Sequence, residues 1–112
     1  MISRAVVKLL AIMRPRDGVD AQREIAPHAE SELRALWELY RGGTVREMYS
    51  PGSPGAVLVL EADSVDTAQQ VLARLPLMAN EIMTLELIEL HPFAAFQMLF
   101  RDSSQPPSEG TG

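Results

Sequence analysis

Aliphatic and β-branched residues run almost unbroken from Ala5 to Met13, with only Lys8 intervening, and the run closes at Arg14-Pro15. Apolar on both alternating faces, it predicts a largely buried first β-strand. Arg14 to Asp20 then has turn chemistry in Pro15, Asp17 and Gly18, and a short turn over Asp20 to Glu24 precedes a helix that opens at Pro27. Ala29, Leu33, Leu36 and Tyr40, with Trp37 and Leu39 beside them, recur at helical spacing and stop at Arg41-Gly42-Gly43, a cation and two glycines that end helices well. Thr44 to Tyr49 reads as a short strand. Ser50-Pro51-Gly52-Ser53-Pro54-Gly55 reads as the loop of an antiparallel hairpin whose second arm is Ala56 to Glu61. Asp63 or Ser64 caps a second helix with Val65, Ala68, Val71, Leu72 and Leu75 on one face, and Pro76 is expected to end it. A final strand, Ile82 to Leu90, is followed by His91-Pro92 and a short apolar piece from Phe93 to Phe100.

The order β-α-β-β-α-β predicts an α+β domain of the ferredoxin-like class: a four-stranded antiparallel sheet with both helices on one face and a short helical extension at its C-terminal end. Residues 1–100 form this single domain, since 112 residues hold one core. Arg101 to Gly112 contains Ser, Pro, Gly, Gln and charges without an aliphatic or aromatic residue, and is expected to be a disordered tail. Because the first and third strands are apolar on both faces, the sheet face without helices needs a partner, and a homodimer with sheets back to back supplies one. Phe93, Phe96 and Phe100, spaced i, i+3, i+7, suit a short helix that packs on a neighbour and extends the assembly to a larger homo-oligomer.

Fifteen acidic against ten basic residues leave a net charge of -5, with no Lys/Arg cluster beyond Arg14-Pro15-Arg16. Nucleic acid and anionic membrane are poor partners for such a surface, and the first apolar run is too short and too charged for a membrane span or signal peptide. With no cysteine in the chain, a disulfide or thiolate metal site is excluded, and a cytoplasmic location is expected. The two histidines, His28 and His91, lack any metal-ligand spacing, and no glycine-rich phosphate loop, dinucleotide fingerprint or nucleophile elbow is present. Neither a metal nor an organic cofactor is expected.

One polar residue breaks the pattern. Counted at ~100° per residue, Glu32 falls between Leu36 and Leu39, inside the apolar stripe and away from Glu30, Arg34 and Glu38. His28 stands one turn earlier at i-4, near a helix start that disfavours a charged imidazole. Facing an enclosed pocket, this pair suits the removal of a proton from carbon or hydroxyl and its return elsewhere. The plainer reading leaves Glu32 at the stripe's edge, reaching water or an arginine. Further candidates for substrate contact are Arg46 and Tyr49 on the second strand, Arg14 at the end of the first, Trp37 and Tyr40 on the helix, and His91 after the last strand. Each has a structural alternative: an edge-strand ion pair for Arg46, a place in or beside the core for Trp37 and Tyr40, an exposed turn for His91. Strict alternation puts Arg46 and Tyr49 on opposite faces, so they share a pocket only across a bulge.

Leu75-Pro76-Leu77-Met78, the strand Met83-Thr84-Leu85-Glu86-Leu87-Ile88-Glu89-Leu90 and the following His91-Pro92 resemble the helix exit and last strand of muconolactone isomerases and the YCII-related dimeric α/β-barrel proteins. The resemblance also covers the glutamate-bearing first helix, Glu32 to Gly43, and the element order over residues 5–92. It implies homo-oligomers built on the sheet, a small-molecule pocket between sheet and helices, and a proton shift in an unsaturated lactone without metal or organic cofactor. The Pro/Gly-rich hairpin and the long C-terminal extension depart from the isomerases. Together, resemblance and polar intrusion point to an isomerase or cyclase acting by proton transfer on an unsaturated, oxygenated substrate, lactone- or polyketide-like. In this reading His28 and Glu32 form the acid/base pair, and Arg46 or Arg14 stabilises negative charge. A cofactor-free monooxygenase of an aromatic substrate and a non-catalytic binding or assembly module are the alternatives; the module would have a closed cavity and a water-exposed Glu32.

Overall fold

A computed structural model describes residues 5–100. Four strands, β1 (Val7–Pro15), β2 (Val45–Tyr49), β3 (Ala56–Ala62) and β4 (Met83–Leu90), form one antiparallel sheet in the order β2-β3-β1-β4. This is the α+β arrangement expected of a ferredoxin-like chain. The helices are α1 (Ala21–Ile25), α2 (Ala29–Arg41), α3 (Val65–Ala73) and α4 (Pro76–Ala79). A single 3-10 turn, Ala26–His28, joins α1 to α2 and contains Pro27.

Both central strands owe their position to their apolar residues. Leu9, Ala11 and Met13 on β1, with Leu58 and Leu60 on β3, point to the helix side and are fully or almost fully buried. In register, Leu60 stands opposite Leu9 and Leu58 opposite Ala11. Leu36 of α2 and Ala68, Leu72 and Leu75 of α3 and its exit close over them. Ser64 caps α3 as expected, accepting a hydrogen bond from the Thr67 amide at 3.0 Å.

Several expectations are corrected. β1 continues through Pro15, two residues past the expected end, because its last two residues pair only with β4 and the missing proline N–H breaks no ladder there. The turn expected over Asp20 to Glu24 is a helical turn, α1, with the Asp20 side chain accepting from the Arg23 amide. Pro76 starts a helix instead of merely ending one: Leu75 before it is extended, and proline takes the first position of α4. On α2 the apolar arc is roughly 200° wide at 100° per residue, more than one sheet can cover. Glu32 and Leu36 are buried and Ala35 and Leu39 pack on the core, whereas Leu33, Trp37 and Tyr40 are 66%, 57% and 46% exposed. The core position expected for the two aromatics is thereby lost, and they pack against each other with ring centroids 5.9 Å apart and planes tilted by 37°.

On β2 a register irregularity between Val45 and Glu47 interrupts the expected alternation. Val45 and Met48 stand opposite Leu60 and Leu58, while Glu47 and Tyr49 stand opposite Val59 and Val57 on the far face. After β4, residues Ala94–Phe100 form a 3-10 segment with every residue exposed. The expected C-terminal tail lies outside the described residues. No helix among the described residues is long and apolar enough to cross a membrane.

Candidate functional site

Between the helices and one end of the sheet lies a cavity of about 550 Å3. Its floor is the end of β1 at Met13 and the starts of β3 and β4 at Ala56 and Met83. Ala21, Gln22 and Ile25 of α1, Ala29, Glu32, Leu33 and Leu36 of α2, and Leu77 of α4 form its walls. Pro54 and Gly55 of the hairpin loop complete the rim. At Gly55 the backbone is in the left-handed region, and a Cβ there would overlap the Met13 carbonyl oxygen. The Pro/Gly composition of this loop thus serves close approach of the hairpin to β1.

The walls are almost wholly apolar. Glu32 is the exception, with 5% of its surface exposed, and it is the only buried charged or polar residue among those described. Its Oε1 accepts the Leu77 backbone N–H at 2.9 Å, satisfying one of the free donors at the start of α4. No buried side-chain oxygen or nitrogen among the described residues lacks a partner, and Glu32 itself lines the cavity. Burial pushes the Glu32 carboxyl above its ordinary pKa, and the Leu77 hydrogen bond and the charge of His28 pull it part of the way back. Its protein partner is the Leu77 amide and not an arginine.

His28 sits at the boundary between the 3-10 turn and α2, half-buried and one turn from Glu32. The two are coupled through space; no hydrogen bond joins them, and His28 is not on the cavity wall. Trp37, Tyr40, Arg46 and Tyr49 come together elsewhere, around a separate shallow depression that also touches Glu47 and Met48. The β2 irregularity is what lets Arg46 and Tyr49 border the same space. There the Tyr49 hydroxyl donates to the Glu47 carboxylate, which holds the phenol above its ordinary pKa. Arg14 faces solvent and reaches Glu86 at 3.6 Å, and His91, also exposed, lies 3.7 Å from Glu89. Neither these two residues nor Arg46 lines the cavity. The wall residues Gln22, Ile25, Leu77 and Met83 carried no functional signal in the sequence beyond being apolar or polar at helical and strand spacing. Among the described residues no group of three or more His, Cys, Asp or Glu side chains is placed to hold a metal ion.

No protein-family model matches the sequence, and no curated protein sequence matches it. A solved structure does. The chain is similar to muconolactone isomerase. The crystal structure of that enzyme superposes with a TM-score of 0.59 at 25% sequence identity, over 77% of this chain and 92% of the isomerase chain. Muconolactone isomerase and this chain therefore share a fold, and the likeness extends over nearly all of the isomerase.

Proposed function

We propose that the protein is an isomerase-like enzyme that moves a proton within a small organic substrate bound between the helices and the sheet. The observation that carries this reading is Glu32, a carboxyl group that lines an apolar cavity and has one oxygen fixed by the Leu77 amide. A carboxyl raised toward neutrality by burial is better matched to taking and returning a proton at carbon than one in water. The carboxylate would take a proton from carbon beside a carbonyl, the electron pair would spread into the conjugated system, and Glu32 would deliver the proton to its far end. His28 acts in this scheme as a positioning charge for Glu32. The fold shared with muconolactone isomerase supports the reaction class. A buried Glu32 beside an open cavity also favours an enzyme over a non-catalytic assembly module.

The test is proton exchange in D2O followed by NMR on a panel of unsaturated lactones and enones. Wild-type protein should exchange and shift a carbon-bound proton in at least one, and Glu32→Gln should slow this by about 10²- to 10⁴-fold, the usual worth of a general base. Equal rates in both proteins, or none above buffer, would exclude the assignment.

The assembly proposed with this function is a homodimer through the uncovered sheet face. Leu10 and Ile12 of β1, Val57 and Val59 of β3, and Ile88 and Leu90 of β4 stand together on that face, and the last two are 39% and 38% exposed. Each ~100 Å2 of this surface left wet costs about 2.5 kcal/mol. The segment after β4 adds Phe93 and Phe96, packed edge to face at 5.0 Å, and Phe100, all mostly exposed. Such an uncharged arm suits attachment to a second subunit.

A further inference from the structure

From the charge of the cavity walls we infer the substrate class: an uncharged, largely apolar molecule with one carbonyl or hydroxyl for Glu32, and not a carboxylate or an ammonium compound. The inference rests on the proposed function in taking Glu32 as the reacting group. Its observations are separate ones.

No lysine, arginine or histidine stands among the fourteen wall residues, and Gln22, at the exposed end of α1, is the only polar side chain there besides Glu32. A carboxylate bound inside would be desolvated without a cation. Beside an ionised Glu32 it would meet a like charge, and beside a protonated one it would stand unpaired. His28 does not relieve this, because it is off the wall. Arg14 and Arg16, the cations near the β1 end, are engaged with Glu86 and Glu81. An ammonium group fares badly for another reason: its three donors point tetrahedrally apart, so a single carboxyl group cannot take all three, and the rest would face an apolar wall on which Gln22 is the only other polar side chain. A carbonyl needs one donor and a hydroxyl one acceptor, and a carboxyl group supplies either according to its protonation. Apolar contacts with Ile25, Leu36 and Met83 provide the remaining grip. A volume of about 550 Å3 is within the ~300–1,000 Å3 of sites that enclose ligands of drug size, so the molecule has room for two fused rings.

Three probes of one shape and different charge decide the matter: 2-acetylnaphthalene, 2-naphthoate and 2-naphthylmethylammonium, titrated into the full chain at neutral pH by calorimetry and methyl NMR. The ketone should bind about tenfold or more tighter than either ion, with shifts at the methyls of Ile25, Leu36 and Leu77. Glu32→Gln should keep ketone binding within about threefold, because the amide still donates. Leu33→Arg, at an exposed position on the rim, should improve naphthoate binding relative to the ketone. Naphthoate or the ammonium compound binding as tightly as the ketone, shifts at other methyls, or no binding of any probe would overturn the inference. Ketone binding without proton exchange in any substrate would instead refute the catalytic reading and leave the ligand class standing. Proton exchange confined to carboxylate substrates would do the reverse.

Discussion

Replacing Glu32 by alanine and by glutamine separates its structural role from its charge. The Gln side chain keeps an oxygen for the Leu77 N–H, whereas Ala leaves that buried donor without a partner, at a cost of about 1–3 kcal/mol. Alanine also gives up one methylene group of a side chain only 5% exposed, worth roughly 0.8 kcal/mol, and recovers a few tenths through its higher helix propensity. Glu32→Ala should therefore be less stable than Glu32→Gln by about 1.5–3.5 kcal/mol. At ~4–8 °C per kcal/mol for a domain of this size, Tm should fall by roughly 6–28 °C. Thermal and urea unfolding followed by circular dichroism measure the difference. The wild-type curve adds a pH dependence of definite sign. Below the ordinary carboxylate pKa both folded and unfolded chains hold the Glu32 proton, and burial costs no charge. As pH rises through the raised folded-state value, the unfolded chain has released its proton while the folded chain must bury a charge, so this contribution to stability is lost. Glu32→Gln has no such loss, and its stability relative to wild type should grow with pH across that window. Ala and Gln variants within about 0.5 kcal/mol of each other, or a Gln-minus-wild-type difference that is flat or falls with pH, would refute the account of Glu32 as a buried, amide-bound carboxyl.

Leu58→Ala, at a fully buried position of β3 opposite Ala11, should cost about 2–5 kcal/mol in urea unfolding, and a loss under about 1 kcal/mol would contradict its place in the core. Gly55→Ala should lower Tm and weaken ligand binding together, since its Cβ would meet the Met13 carbonyl and push the hairpin from the cavity rim; unchanged Tm would show that the close approach is not needed. Ending the chain after Pro92 should reduce the particle mass seen by light scattering or loosen the assembly, whereas ending it after Arg101 should not, and identical mass and Tm for both would remove the arm from the interface.

The strand and helix order was legible in the sequence because it rests on local periodicity: period two in β1 and β3, helical spacing in α2 and α3, Ser64 as a cap and glycines after Arg41. Glu32 was legible as an intrusion for the same reason, since its angle on the helix depends only on its neighbours in sequence. Its partner was not. The Leu77 amide is 45 positions away and is free to donate to Glu32 only because Pro76 starts a new helix there, and a proline at a helix exit is equally compatible with a plain stop. Likewise the sequence held Trp37 and Tyr40 on one apolar arc with Leu36, but how much of that arc is covered depends on the sheet beneath it. The irregularity in β2 that brings Arg46 and Tyr49 to one depression has no local signature in Val45-Arg46-Glu47. By itself the sequence determined which residues avoid water and at what spacing, since burial of apolar surface and backbone geometry act over a few residues. Tertiary structure alone decided which sides of the elements meet, and so left a space between α2, α4 and the end of the sheet with one carboxyl group in it. A cavity is what packing leaves unfilled among segments distant in the chain, and no short-range pattern encodes it.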